Sequence, residues 1–355
     1  MSALVRPEGR RPRIGLVANP SSGHDMRRLV SSAETVTHLV KVNRISRVLA
    51  GLRALGACQV LYMPERLGLV PNAFGALSAL PNATPELPKG LSVEPLPLRT
   101  TGTPEDTLQA TRMMREAGCE LILTFGGDGT NRLVALAAES VPLLPLSAGT
   151  NNIFPLTVET TQAGLAAAVF LKLLQSGTET QTLTPQHKLL RARSADWEET
   201  ALVDLAVSRQ ARIGGRAVWK AQDLRAVFVT RCTPGASGLC GIPGALLEVD
   251  PLASQGAAAF LGDRFSVQAV LTAGVVQAVG LDSVEPLELG QVRTVHVPEG
   301  TVLVDGERVR ELRETTLEVE LTFDGPRVLD IAQTLQAGLR SRLFAVPEQA
   351  ALSVG

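Results

Sequence analysis

The sequence predicts an α/β domain built on a parallel sheet, followed by a second domain that is largely β. Short apolar runs alternate with segments of helical spacing up to about residue 180, and this alternation is typical of a parallel sheet covered by helices. Beyond residue 180 the runs are rich in β-branched residues and few helical periods separate them. We therefore expect an α/β domain over 1–180, a β-rich domain over 181–325 and a helical segment over 326–355 that returns to the first domain.

The composition is that of a chain that can bury a large core. It has 355 residues, of which 45% are hydrophobic, and this length favours two domains. Lysine and arginine number 34 against 35 aspartates and glutamates, so the net charge of -1 gives no reason to expect a nucleic-acid partner.

The cysteines and histidines do not predict a metal centre or a disulfide framework. The four cysteines have no CxxC spacing and the four histidines are scattered, so we expect buried thiols in a reducing cytoplasm. No stretch reaches the roughly 18 apolar residues that span a bilayer, and no apolar signal region follows the basic N-terminus. We expect a cytoplasmic protein without integral membrane contact.

In the first domain, apolar runs predict strands over 14–18, 59–63, 91–98, 121–125 and 142–146. Helical spacing predicts helices over 36–55, 132–138 and 158–175, and Thr103-Pro104 with two following acidic residues predicts another helix that ends at Gly118. Residues 64–90 carry many prolines and no clear period. We predict that they form an irregular excursion that serves as a lid or as a subunit contact of a homo-oligomer.

Three of these strands are each followed by a loop of small polar residues, namely NPSSG (19–23), GGDGTN (126–131) and SAGTNN (147–152). The carboxyl ends of parallel strands share one edge, where ligands bind, and glycines with helix-opening amides suit a phosphate. Each loop alone is equally an ordinary turn or a helix cap, but their repetition favours a nucleotide and phosphate site. Its candidate residues are Asn19, Ser21, Ser22, Gly23, Gly126, Gly127, Gly129, Thr130, Gly149, Thr150, Asn151 and Asn152.

In their order and spacing, these three loops resemble the signature loops of the superfamily that joins NAD kinases, diacylglycerol kinases and sphingosine kinases. The phrases HDMRRLV, VLYMP and GTNNIFP further resemble the AcoX type of ATP-NAD kinase-like protein, named for acetoin catabolism. The resemblance covers about residues 14–323. It implies an α/β domain paired with a β-rich domain, with substrates reacting in the cleft between them.

In the second domain, β-branched or alternating runs predict strands over 189–192, 201–208, 224–231, 265–272, 292–297 and 316–323. Residues 302–312 alternate about an Asp-Gly pair, which predicts a β-hairpin. Residues 328–343 have helical spacing and are expected to pack on the first domain.

Two places in this domain are candidate substrate sites. Asp204 is the one charge in the apolar strand ALVDLAV, so it either faces inward to bind a ribose or a metal, or is exposed on an edge strand. Val203 stands where NAD kinases carry the asparagine of an Asn-Glu pair. The segment TPGASGLCGIPG resembles the stretch that NAD kinases place around nicotinamide, although its tyrosine is missing, and it offers Thr233 and Ser237. Its glycines favour close approach of a ligand over a plain linker.

The hairpin needs no function to explain it, but it resembles the DGE segment of lipid kinases. That resemblance implies that Asp305 and Glu307 face the cleft and help to hold a cation or a nucleotide.

The chain lacks the GxxxxGK[ST] pattern of P-loop proteins, and none of the three loops contains a lysine. Mg²⁺ or another divalent cation, with backbone amides, is therefore expected to neutralise the phosphates of ATP or polyphosphate. Asp128 is the predicted base that takes the proton of an acceptor hydroxyl. The first expectation is phosphorylation of the adenosine ribose of NAD to give NADP. The alternatives are a lipid or small-diol kinase and, since Val203 and the missing tyrosine depart from NAD kinases, a nucleotide-binding protein of acetoin catabolism without turnover.

Overall fold

The structure of the protein, a computed structural model, describes residues 11–22, 36–56, 58–78, 90–147, 149, 152–210 and 221–345, apart from the side chain of Arg308. The described chain contains a five-stranded sheet and an eight-stranded sheet. The first is parallel throughout and the second is antiparallel throughout, which confirms the predicted fold class.

The parallel sheet is formed by β1 (Arg13–Ala18), β2 (Cys58–Tyr62), β3 (Leu91–Pro95), β4 (Leu121–Gly126) and β5 (Leu143–Ser147) in the order β3-β2-β1-β4-β5. The strand order reverses at β1, which pairs with β2 on one side and β4 on the other. A crevice at the carboxyl ends of β1 and β4 is the usual ligand site of such a sheet. The NPSSG and GGDGTN loops begin at this crevice.

Helices cover both faces of the parallel sheet, and their bounds are α1 (His38–Arg53), α2 (Leu69–Ser78), α3 (Pro104–Glu116), α4 (Asp128–Ala138) and α5 (Thr160–Gln175). In β1, Ile14 and Leu16 pack on one face while Val17 packs on the other. Because both faces of a covered parallel sheet are buried, its strands appear in the sequence as continuous apolar runs.

Helix α2 corrects the prediction that 64–90 is irregular throughout; residues 79–89 lie outside the described residues. Its Leu69, Val70, Ala73 and Leu77 are buried at helical spacing. Pro71 hid this helical spacing in the sequence. It lies in the first turn of α2, where backbone N–H groups have no partner within the helix, so a proline is tolerated there.

Helix α4 begins at Asp128, four residues before the predicted start at 132. Asp128 therefore belongs to the first helical turn, with Gly127 as the N-cap residue.

The antiparallel sheet has the order β11-β10-β9-β8-β12-β13-β6-β7. The prediction of one strand over 201–208 was wrong, because the chain bends at Leu202 and Val203. Strand β11 was not predicted, because many of its side chains are solvent-exposed. The predicted hairpin is confirmed, with positive φ at Asp305 and Gly306 in its turn. The strands are β6 (Leu189–Ser194), β7 (Trp197–Ala201), β8 (Asp204–Ser208), β9 (Leu224–Val229), β10 (Gln255–Thr272), β11 (Val275–Glu288), β12 (Val292–Val304) and β13 (Glu307–Thr322).

The short helix α6 (Gly241–Gly244) packs on β10, and the chain then returns to the first sheet after β13. The Leu329 N–H donates to the carbonyl of Leu143 in β5 at 2.8 Å, and Leu329 is buried in the first core. Helix α7 (Ile331–Arg340) follows and packs on α5; it is shorter at both ends than the predicted 328–343. Within the described ranges, no helix is long and apolar enough to cross a membrane.

Helices α1 and α5 cross at a contact that requires glycine. A Cβ at Gly164 would lie 2.1 Å from the Val48 carbonyl oxygen, and one at Gly51 would lie 2.3 Å from that of Thr161. No side chain fits there unless the helices move apart.

His187 lies where the chain leads into β6. Its N–H donates to the carbonyl of Pro326 at 2.9 Å, and its ring meets Phe154 edge-on with centroids 5.8 Å apart. Burial, with the nearby charges of Arg231 and Lys188, lowers the pKa of His187 to about 3. The ring is therefore neutral in the folded protein at physiological pH.

We expect Gly164→Ala to lower the free energy of unfolding by about 1–3 kcal/mol because it overpacks the α1–α5 contact. Gly75→Ala is the matched control, since a Cβ at this α2 position has no atom within 4 Å. It should stabilise the protein by about 0.5–1 kcal/mol through helix propensity. Urea denaturation followed by circular dichroism measures both, and equal stabilities of the two variants would contradict the close crossing.

The neutral His187 predicts a loss of stability in acid. Between pH 6.5 and about 3 the unfolded chain binds a proton at this position and the folded protein does not, so stability falls as the pH is lowered through this range. From pH 7 to pH 5, the wild type should lose about 2 kcal/mol more than His187→Gln, which keeps a hydrogen-bond acceptor but cannot titrate. Urea denaturation at both pH values tests this, and parallel pH dependence of the two proteins would refute it.

Candidate functional site

The first two loops are joined at the crevice by Asn19. Its Nδ2 donates to the Thr130 hydroxyl oxygen at 2.8 Å, while its Oδ1 accepts the Ser21 N–H at 2.9 Å. The Ser22 hydroxyl donates to the Asn19 carbonyl at 2.7 Å, which closes the turn. Four of the predicted phosphate-site residues therefore lie together.

Neighbouring protein groups leave little room for side chains at the glycines of GGDGTN. A Cβ at Gly126 would lie 2.6 Å from the Thr130 Cβ, one at Gly127 would lie 2.9 Å from Asn152 Oδ1, and one at Gly129 would lie 2.6 Å from Glu307 Oε1. The φ of Gly127 is −87°, so a left-handed backbone is not the reason for a glycine at this position. These glycines let the third loop and the hairpin turn approach α4 closely.

Asp128 connects the second loop to the segment that follows the third. One carboxylate oxygen accepts the N–H of Phe154 at 2.8 Å, and both oxygens lie within 3.2 Å of the N–H of Ile153. These charge-assisted hydrogen bonds fix the direction of the carboxylate at the crevice.

The third loop is tied to the end of β5. The Ser147 hydroxyl donates to the Gly149 carbonyl at 2.6 Å, and Asn152 Nδ2 donates to the Ser147 hydroxyl oxygen at 3.3 Å. Gly23, Thr150 and Asn151, which were also predicted to bind phosphate, lie outside the described residues.

Asn131 was part of the GGDGTN motif but was not predicted to have a role. It is fully buried, its Nδ2 donates to the Gly127 carbonyl at 2.9 Å, and its Oδ1 accepts the Thr124 hydroxyl. These two hydrogen bonds connect the GGDGTN loop to the buried end of β4.

Helix α1 supplies two cations that the loops themselves lack. Lys41 Nζ donates to the carbonyl of Pro20 in the first loop at 2.5 Å, and Arg44 Nη1 donates to the carbonyl of Ser147 at 3.0 Å. One sign of these contacts was present in the sequence, namely the i, i+3 spacing that places both residues on one side of the helix.

Asp305 lies in the hairpin turn and connects it to the bend between β7 and β8. Its carboxylate accepts the N–H of Leu202 at 2.9 Å, of Val203 at 2.8 Å and of Asp204 at 3.3 Å. Burial raises the pKa of Asp305 well above its usual value, the charge of Asp204 raises it further, and the backbone hydrogen bonds act against both.

Arg132 of α4 bridges the two domains. Its guanidinium lies 3.1 Å from Glu199 of β7, 3.3 Å from Glu307 of β13 and 3.8 Å from Asp305. The hairpin turn is therefore held against the first turns of α4, where Glu307 meets Gly129.

These contacts do not fit a metal ion held by Asp305 and Glu307. Asp305 is buried and binds backbone amides, Glu307 pairs with Arg132, and the described residues contain no group of three or more acidic, histidine or cysteine side chains placed to bind a metal. The expected metal role of Asp305 and Glu307 has no support in this part of the chain.

Asp204 faces the interior at the start of β8. The alternative of an exposed edge residue is wrong, because β8 lies between β9 and β12 and Asp204 is only 7% exposed. Burial is the main cause that raises the pKa of the Cys240 thiol and of Asp305, and the charge of Asp204 raises both pKa values further.

The glycine-rich segment 233–244 folds onto itself. A Cβ at Gly244 would lie 2.6 Å from the Thr233 carbonyl oxygen, and one at Gly241 would lie 2.3 Å from that of Ala236. The Gly238 N–H donates to the Val270 carbonyl of β10 at 2.9 Å. Packing within the segment explains Gly241 and Gly244 without a ligand; Thr233 is exposed and Ser237 half-buried.

Arg231, just after β9, was missed from the sequence. Its guanidinium lies 5.0 Å from the centre of the Phe154 ring, and Nη2 donates to His187 Nδ1 at 3.1 Å. Burial lowers the pKa of Arg231, and the negative charges near it, including those of Asp128 and Asp305, act in the opposite direction. No local pattern marks this arginine.

The comparisons with known proteins divide the chain at the same place as the two sheets. The family described as ATP-NAD kinase N-terminal domain matches residues 14–171, and the family described as acetoin catabolism protein X C-terminal domain matches residues 188–324. Acetoin catabolism protein X of Cupriavidus necator is 32% identical over 357 aligned residues, which cover 96% of each chain. The chain therefore belongs to the acetoin catabolism protein X family.

Proposed function

We propose that the protein is a kinase that transfers a phosphoryl group from ATP, or from polyphosphate, to a hydroxyl bound beside Asp128. The observation that carries this proposal is the oriented carboxylate of Asp128 at the crevice of an NAD kinase-type sheet. Nucleotide and small-molecule partners, and a homo-oligomer in the cytoplasm, belong to the same proposal.

The donor phosphates bind at the three loops. The amides of the first turn of α4 face this edge, and Lys41 and Arg44 bring positive charge to the first and third loops. A divalent cation, when bound with ATP, would supply further neutralisation of phosphate charge; the described residues contain no group of three or more acidic, histidine or cysteine side chains placed to hold it.

Asp128 acts on the acceptor. The acceptor oxygen forms a bond to the terminal phosphorus as the bond from that phosphorus to the leaving phosphate oxygen breaks, and Asp128 takes the hydroxyl proton. Because the loop amides already hold the carboxylate in place, little reorganisation is needed when the acceptor binds.

The acceptor is chosen by the second domain. The adenosine ribose of NAD is the first candidate because the first domain is of NAD kinase type. A small diol or a lipid is the second, because Val203 is a buried apolar residue and the C-terminal domain matches the acetoin catabolism family. The same departure supports the third candidate, a nucleotide-binding protein of acetoin catabolism without turnover.

We expect Asp128→Asn to reduce turnover by about 10² to 10⁴, the usual contribution of a general base. The asparagine oxygen can still accept the Phe154 N–H, so the loops should keep their shape. ADP release is followed with NAD, diacylglycerol vesicles and small polyols as acceptors. Asp330→Asn, at the N-cap of α7, is the control and should keep wild-type activity because asparagine also caps helices.

Undiminished turnover by Asp128→Asn would exclude the assigned role. Calorimetric binding of ATP or NAD to the wild type without product from any acceptor would instead favour the nucleotide-binding protein without turnover.

We expect Arg44→Gln to raise the KM for ATP about tenfold with little change in kcat, since it removes one charged contact to the donor phosphates. Arg47→Gln is the matched control on the same helix, where Arg47 is exposed and lies 3.9 Å from Glu159. Initial rates at varied ATP separate the two variants. A similar KM in both would show that Arg44 does not contact the donor.

A further inference from the structure

Three side chains form a cluster behind Asp128, each in contact with the other two. Phe154 and His187 meet edge to face, Arg231 lies 5.0 Å from the centre of the Phe154 ring, and Arg231 donates to His187 at 3.1 Å. They come from the segment after the third loop, from the start of the second domain and from the end of β9. We call this group the Phe154 cluster.

The Phe154 cluster fixes the backbone that holds Asp128. Phe154 is buried, and its N–H makes the 2.8 Å hydrogen bond to the carboxylate. With one side of the ring against His187 and its face against the guanidinium, the residue has little freedom to turn. The position of this N–H therefore depends on side chains of the second domain.

Burying the charged guanidinium of Arg231 in this cluster costs folding free energy. Arg231 is 7% exposed, and its Nε has no hydrogen-bond partner in the described part of the chain. A buried cation without full pairing destabilises a fold, and an apolar residue of similar size would pack as well. Burial lowers the pKa of Arg231, whereas Cys240, Asp128 and Asp305 act in the opposite direction. Packing alone does not account for a cation at this place.

We propose that Arg231 is a positioning residue for Asp128, whose direction it fixes through the Phe154 ring. The proposal rests on the proposed function only in giving Asp128 a proton to accept. It adds that the second domain sets the position of the base as well as the choice of acceptor.

The test needs a measurement that does not depend on turnover. Amide hydrogen exchange of Ile153 and Phe154, the two N–H groups bonded to Asp128, is measured in the full-length protein. Arg231→Met removes the charge and should speed exchange at both amides at least tenfold. Arg231→Lys keeps the charge and should stay within about threefold of the wild type. Unchanged exchange in β1 and β4 of the first sheet, and in β8 and β9 of the second, shows that each variant is folded.

Phe154→Leu provides a second variant in case Arg231→Met does not fold. It keeps the backbone N–H and removes the aromatic face, so exchange at the same two amides should again be faster. Wild-type exchange in both Arg231→Met and Phe154→Leu would overturn the proposal.

A kinetic measurement separates this proposal from the proposed function. With an acceptor that the wild type phosphorylates, Arg231→Met should lower kcat at least tenfold while the KM for ATP stays within twofold, and Arg231→Lys should recover most of the rate. Equal kcat in Arg231→Met and wild type would overturn the positioning role and leave the kinase intact. Absence of any phosphorylated acceptor would remove the proposed function, while the exchange rates would still decide whether Arg231 positions Asp128.

Discussion

The hydrogen bonds that the buried Asp305 accepts fix the hairpin turn at the β7–β8 bend, and Arg132 of α4 pairs with this turn through Glu307. A buried carboxylate without partners costs several kcal/mol, and here three backbone N–H groups and the nearby Arg132 offset that cost. The same contacts hold the hairpin turn to the β7–β8 bend and to α4. The second sheet is therefore held against α4 beside Asp128, at the crevice of the first sheet.

Much of the first domain could be predicted because its signals are local. Strands β1, β4 and β5 are buried on both faces and so form continuous apolar runs, and each is followed directly by its polar loop. Helix α2 was hidden by a proline that its first turn tolerates. Strand β11 was missed because an exposed strand in a long hairpin needs no apolar alternation, so tertiary pairing determines it.

The candidate site was predicted only as far as its loops. Asn19, Asp128 and Thr130 lie in motifs whose spacing marks them, whereas Arg132 meets Glu307 across 175 residues of sequence and Arg231 meets His187 across 44. The Arg132 pair arises from the docking of the second sheet on the first, and the Arg231 pair arises from folding within the second domain. No pattern of a few residues encodes either contact. The glycines show the same limit, because their sequence indicates a close approach without indicating which group approaches.

The hydrogen bonds that Asp305 accepts at the β7–β8 bend have a consequence for the residue at position 203. At position 203 the scaffold uses the backbone N–H, which every residue except proline possesses. The side chain of Val203 is buried in the apolar core of the second sheet, so packing limits which residues fit there. One residue therefore holds the bend through its backbone and fills the core through its side chain.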